Sequence, residues 1–61
     1  MITMKAYRIT DLNTDNNESY TVTDPSQCKD KTDKAAVEMA MLLDDVIAMG
    51  KVIVEPIKAS N

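Results

Sequence analysis

The sequence predicts an α+β fold in which one helix covers one face of a small sheet. Two β-prone stretches, 4–10 and 19–23, come first; a helix-periodic apolar stretch follows, and the β-branched stretch 51–58 is the last of the predicted elements. A chain of 61 residues forms one domain at most. We therefore expect a single domain over residues 1–61, with a two-layer ββαβ arrangement and a three-stranded, mainly antiparallel sheet.

The first two strands are expected to form a hairpin. Tyr7 and Ile9 share one face of the first strand. The second strand alternates strictly, and this pattern places Tyr20 and Val22 inward. The loop between the strands is rich in Asn and Asp, which tolerate left-handed backbone and close their own turns.

The helix is expected over about 33–49. Asp24 and Pro25 supply an acidic cap followed by proline, so one long helix from Pro25 is an alternative. A short turn there, with a restart near Asp33, is preferred. Gly50 is predicted to end the helix as its left-handed cap.

The predicted helix is apolar on two sides. At about 100° per residue, a wide stripe covers about half of the circumference and is expected to face the sheet. The residues of this stripe are Ala35, Ala36, Met39, Ala40, Leu42, Leu43, Val46, Ile47 and Met49. A thin second stripe lies among acidic residues. Single exposed apolar residues are ordinary and need no function. The alternative is a contact surface, for which the adaptable Met at the centre of the stripe is well suited. The predicted partner-binding residues are Val37, Met41, Asp44, Asp45 and Ala48.

The last strand is apolar on both of its faces. Val52 and Val54 share one face, and Ile53 and Ile57 share the other. Pro56 indicates an edge strand. Pairing with the first strand gives the order 2-1-3 with antiparallel neighbours, whereas pairing with the second gives the order 1-2-3 with one parallel contact. We prefer the order 2-1-3, because it leaves the proline outside.

One helix covers only one face of the sheet, so a second apolar surface remains. The chain has no Phe or Trp and only two Tyr, which limits the core that it can build. Exposed apolar surface on so small a domain indicates association. We predict a homodimer through the open sheet face, with Val52, Val54, Met4 and Ala6 as the self-association residues.

The composition argues against most enzymatic chemistry. The chain has no His, one Cys and one Gly, so it lacks an imidazole base, a zinc ligand set and a glycine-rich phosphate loop. Cys28 has no evident base partner and is expected to be buried and inert. The alternating Asp and Asn of 11–17 resemble the start of a calcium loop, but its twelfth position is Val22. We predict no catalytic residue, no cofactor and no metal.

The single cysteine and the lack of a long apolar stretch are typical of a cytoplasmic protein, and the net charge of −3 argues against a phosphate-binding role. We expect a small non-enzymatic interaction module, dimeric, that binds and modulates another protein. Its size and composition are typical of accessory proteins that phages and mobile elements encode. The alternative is a nucleic-acid-related role, as an acidic DNA decoy or as a weak binder through Lys29, Lys31 and Lys34.

Overall fold

The computed structural model describes residues 4–13 and 16–59, with side chains from 5 to 58 inside those ranges. Over this part of the chain, one helix packs on one face of a four-stranded antiparallel sheet, which confirms the α+β class. The elements are β1 (Met4–Asp11), β2 (Ser19–Val22), a 3₁₀ turn (Pro25–Gln27), α1 (Lys31–Leu43), β3 (Ile47–Met49) and β4 (Val52–Ala59).

The strand order of the sheet is β2-β1-β4-β3. The last strand pairs antiparallel with the first, as predicted, and the alternative pairing with the second strand is wrong. The prediction of three strands is also wrong, because β3 adds a fourth strand beside β4. Ile9 lies at the centre of the sheet, opposite Tyr20 on one side and Val54 on the other.

The helix ends six residues earlier than the predicted 33–49, at Leu43. Asp44 adopts left-handed backbone with φ 53°, and its N–H donates to the carbonyl of Ala40. Asp tolerates this conformation better than most residues with a Cβ, so it serves as the cap that the prediction gave to Gly50.

Gly50 instead forms the turn between β3 and β4. Its φ of 61° opens a two-residue connection, and Met49 pairs with Val52 across it. Lys51 is not among the residues with positive φ, so the turn matches type II′, in which glycine takes the first central position. A glycine between two β-prone runs is a hairpin signal, and here it outweighs the helical periodicity.

The prediction that Pro56 marks an edge strand is wrong, because β4 lies between β1 and β3, although Pro56 itself occupies a local edge. The Leu12 N–H donates to the Lys51 carbonyl at 2.8 Å, so these two residues form a hydrogen-bonded pair. Hydrogen-bonded and non-hydrogen-bonded pairs alternate along β1 and β4, and Pro56 belongs to a non-hydrogen-bonded pair, in which the backbone polar groups point away from β1. The pairing of β3 stops at Val54, so no strand of the described residues faces Pro56 there, and its missing N–H costs no ladder bond.

The core lies between α1 and one face of the sheet. Val52 and Val54 face the helix and are buried, so their predicted place on an open self-association face is wrong. The register puts Ile53 and Ile57 on the other face, each partly buried. The alternation of the last strand allowed either pair to face the helix, and in the structure Val52 and Val54 do so.

The predicted orientation of the helix is wrong as well. Val37 is fully buried, not exposed, and its neighbours toward the sheet are Ala36 and Ala40. The buried positions follow the i, i+3, i+4, i+7 pattern from Asp33. Small side chains at 36 and 40 let the helix approach a sheet face already filled by larger residues. The bulky side chains predicted to face the sheet therefore lie outside: Met39, Leu42 and Leu43.

This orientation predicts that two truncations on α1 have very different effects on stability. Val37→Ala removes methyl groups from a filled core and should lower the free energy of unfolding by roughly 2 kcal/mol. Leu42→Ala removes a larger side chain from an exposed position and should change it by less than about 0.5 kcal/mol. Urea denaturation followed by circular dichroism measures both; a larger cost at Leu42 would contradict the orientation.

Candidate interaction surface

One polar contact caps the start of α1, and a second joins that start to the sheet. Asp30 caps the helix by accepting the Asp33 N–H at 2.9 Å. The Asp33 side chain is only 2% exposed and turns inward, where the Tyr20 hydroxyl of β2 donates to its Oδ2 at 2.5 Å. This contact sets where the first turn lies over the sheet.

A surface ion pair lies at the other end of the helix. Lys5 of β1 contacts the carboxylate of Asp44, and this hydrogen bond raises the pKa of the Lys5 amine. Both side chains are about half exposed or more, so the pair contributes little to stability. It does bring the end of α1 to the start of β1.

Between these two ends, α1 and the residues after it present a large apolar surface. We call this the apolar helix surface; its exposed fractions run from 39% to 78%, the highest at Leu42. A small domain rarely leaves so many long apolar side chains in water without a partner. The members are Met39, Met41, Leu42, Leu43 and Val46.

Two grooves border this surface. One, of about 410 Å³, runs between the 3₁₀ turn and α1 and is lined by Pro25, Glu38, Met41 and Leu42. The other, of about 330 Å³, lies at the end of the sheet, between residues 44–46 and the last part of β4. The groove beside Leu42 is shallow and open to solvent, so the apolar helix surface is nearly flat there.

The charges of α1 are segregated along its length. Lys31 and Lys34 are exposed in the first turn, whereas Glu38, Asp44 and Asp45 are exposed in the second half and just beyond it. Bases at the start and acids at the end oppose the helix dipole, at a cost of about 0.3–1 kcal/mol each. The exposed cap Asp30 and the buried Asp33 at the start of the helix follow the favourable order.

The predicted partner-binding residues lie in three different places. Met41, Asp44 and Asp45 are exposed around the end of α1, as predicted. Val37 lies in the core, so its place on an exposed stripe is wrong. Ala48 belongs to β3 and not to the helix; it pairs with Ile53 and faces the open side of the sheet, away from Met41.

The open sheet face is mixed in character. Of the predicted self-association residues, Ala6 does lie there, opposite Ile57, but it is only 3% exposed. The side chain of Met4 lies outside the described part of the structure. Arg8 and Glu55 form an ion pair at 3.6 Å in the middle of this face. It therefore offers less exposed apolar area than the apolar helix surface does.

Tyr20, Lys29 and Cys28 surround the buried Asp33. The Tyr20 hydroxyl accepts the Lys29 N–H at 3.0 Å, and the Lys29 amine lies 4.8 Å from the ring centre. Burial, and next the bond to Asp33, raise the pKa of Tyr20. Burial also raises the pKa of Cys28, and the nearby Asp33 adds to it, which keeps the thiol protonated. Cys28 is half-buried, where full burial was expected.

The Tyr20–Asp33 pair was not predicted from the sequence. An Asp three residues after a helix cap normally reaches back to the cap, and nothing in the local pattern marks it as buried. The Oδ1 of Asp33 has no hydrogen-bond partner among the described residues. The pair defines the helix position and does not by itself form a binding site.

Comparison of the sequence and the structure with known proteins gives no indication of an activity. No protein family, characterised protein or solved structure matches this chain. In residues 4–13 and 16–59, no helix has the length and apolarity needed to cross a membrane, and no three acidic, Cys or His side chains are grouped to hold a metal ion.

Removing the Tyr20 hydroxyl should leave the buried carboxylate without its hydrogen-bond donor. We expect Tyr20→Phe to lower the free energy of unfolding by about 1–3 kcal/mol, because Asp33 then lacks a donor. Tyr7→Phe is the matched control, since it leaves Asp33 its partner. Adding Asp33→Ala to Tyr20→Phe should cost less than the sum of the two changes; strict additivity in urea denaturation would contradict the coupling.

The raised pKa of Tyr20 gives a spectroscopic prediction. Tyrosinate absorbance, recorded for the wild type minus Tyr20→Phe, should rise at a higher pH than the value of about 10 for an unfolded tyrosine. Because the folded pKa is the higher one, the stability from neutral Tyr20 is complete below about pH 10 and declines above it. A difference curve centred at or below pH 10 would contradict the buried contact.

Proposed function

We propose that this domain is a non-enzymatic interaction module that acts by binding another polypeptide through its apolar helix surface. The observation that carries the proposal is the 78% exposure of Leu42, on a helix that turns only Val37 and small or polar residues toward the sheet. Burying long apolar side chains against a partner would gain roughly 25 cal/mol for each Å² removed from water.

The chemistry of the exposed residues supports a protein partner. Met39 and Met41 are flexible, polarisable side chains that adapt to varied partner surfaces. The acidic residues Glu38 and Asp45 lie beside the apolar area and provide the polar rim that protein interfaces usually have. The shallow groove beside Leu42 extends the apolar area as far as Pro25.

A nucleic-acid role has less support. Lys31 and Lys34 are exposed, but Asp30 lies among them, and the amine of Lys29 is over the Tyr20 ring. The chain as a whole carries a net charge of −3. A decoy for DNA needs a much larger negative charge, and a binder needs a continuous basic surface.

A surface substitution tests the proposal. The tagged protein is used to capture polypeptides from its native host, with mass spectrometry to identify them. We expect Leu42→Gln, which keeps helix propensity, to reduce the captured partner at least about tenfold.

Leu12→Gln is the matched control. Leu12 is also exposed, and it lies just beyond the far end of β1 from Lys5, which contacts the end of α1. It should capture as much partner as the wild type, and circular dichroism should show that both variants are folded. Equal capture by all three proteins, or equal loss in both variants, would overturn the proposal.

A further inference from the structure

We propose that the free edge of β3 pairs with the same edge of a second copy, so that the two sheets become one across a two-fold axis at Ala48. This interface goes beyond the proposed function, because it uses the sheet edge and leaves Leu42 open to another polypeptide. A two-fold interface joins the same surface of both copies, so the edge must be complementary to itself.

The outer side of β3 carries backbone groups that can accept a further strand. Met49 and Val52 flank a two-residue turn, so the N–H and C=O of Met49 point to β4. These groups alternate along a strand, and those of Ala48 therefore point away from β4. β3 is the last strand in its sheet, so none of the described residues forms a strand on that side. Ala48 is exposed and small, whereas edges that resist pairing usually carry a charge or a proline.

This row of backbone groups is complementary to itself. By the same alternation, the Val46 C=O and the Gly50 N–H point outward together with the N–H and C=O of Ala48. In an antiparallel pair centred on Ala48, the two copies of Ala48 exchange both of their hydrogen bonds. Each Gly50 N–H then meets the Val46 C=O of the other copy, so every outward group finds a partner.

The charges on either side of β3 select this register. Asp45 lies three residues before Ala48, and Lys51 lies three residues after it. Antiparallel pairing centred on Ala48 therefore places Asp45 of each copy opposite Lys51 of the other. Both side chains are exposed, and within the described residues neither forms an ion pair. A parallel pair would instead set Asp45 against Asp45, so the charges favour the antiparallel pair.

The flank of α1 toward β3 is apolar. Glu38 and Met41 share a groove with Pro25, which follows β2 at the opposite edge of the sheet. At about 100° per residue, Met39 and Leu43 lie on the other flank, toward β3, and both are exposed. The two-fold axis sets both helices on the same face of the joined sheet, with these flanks toward each other. Contact between them removes apolar side chains from water.

The charged side chains of α1 lie away from this contact. Lys31, Lys34 and Glu38 fall within an arc of about 60° on the side of the 3₁₀ turn. The cap Asp30 lies one turn before Lys34, on that side as well. The residues on the flank toward β3 carry no charge; they are Thr32, Ala36, Met39 and Leu43. Like charges of the two helices therefore do not meet.

The other edge of the sheet is less suited to this pairing. The Thr23 N–H at the end of β2 donates to the Gln27 side chain at 2.8 Å. The Lys29 N–H donates to the Tyr20 hydroxyl of the same strand at 3.0 Å. The segment after β2 thus lies beside it and uses part of its edge, whereas the elements packed against β3 are β4 and α1.

The first experiment measures the dimer and blocks the strand edge. Sedimentation equilibrium from about 10 μM to about 1 mM covers weak specific association. We expect the wild type to form a dimer in this range. Ala48→Pro removes an outward N–H and no bond to β4, so it should keep the fold, checked by circular dichroism, and lose the dimer.

The second experiment exchanges charges at low ionic strength. Asp45→Lys alone or Lys51→Glu alone should raise the dimer Kd about fivefold or more, because each sets like charges across the axis twice. The chain with both changes should dimerise as the wild type does. The matched controls Glu38→Lys and Lys31→Glu change the net charge equally on the other flank, and they should alter the Kd by less than about twofold.

Two neighbouring leucines separate the flanks of α1. Leu43→Gln should raise the dimer Kd about fivefold or more, because it removes apolar surface from the contact. Leu42→Gln, which lowers capture of the other polypeptide, should leave the dimer Kd unchanged.

The outcomes separate this inference from the proposed function. A wild type that stays monomeric at about 1 mM overturns the inference, as does a folded Ala48→Pro variant that still dimerises. If Ala48→Pro unfolds, the charge exchange decides: a double variant that is not restored overturns this pairing. Leu42-dependent capture without a dimer leaves the proposed function standing, and a dimer without that capture overturns the proposed function alone.

Discussion

The close fit of one helix against a filled sheet face is the constraint on which the rest of this structure depends. Ile9 and Val54 are fully buried at the centre of the sheet, and α1 meets them with Val37 between two alanines. Because the alanines are small, the helix can approach without leaving voids. The Tyr20–Asp33 contact then fixes where along the sheet the first turn lies.

This fit has a direct consequence for the outer side of the molecule. With short side chains used inside, the long apolar side chains of the second half of α1 remain in water. A chain of this size has little core with which to offset its conformational entropy, and burying these residues against another polypeptide would enlarge that core. These exposed residues add little to the core of the isolated chain, so a change at Leu42 would affect association more than folding.

The sequence predicted the local elements better than their packing. The hairpin of β1 and β2 follows from alternation and turn residues, which act over short distances. The pairing of the last strand with the first was preferred because it leaves Pro56 outside. The helix end was missed because apolar periodicity continues through residues 44–49, while Asp44 and Gly50 act as a cap and a turn. The buried stripe was missed because hydrophobicity alone favours leucine and methionine inside. The space above the sheet favours valine and alanine, and that space depends on tertiary contacts. Sequence reasoning therefore predicted the exposure of Met41, Asp44 and Asp45 but wrongly turned Leu42 and Leu43 toward the sheet.

The orientation of α1 is tested most directly by the solvent access of its methyl groups. Methyl NMR spectra of dilute protein, recorded with and without a soluble paramagnetic agent, report which side chains water reaches. The structure predicts strong broadening of the Leu42 and Leu43 methyl signals and almost none for Val37. Broadening of Val37 with protection of Leu42 would contradict the orientation, and with it the apolar helix surface.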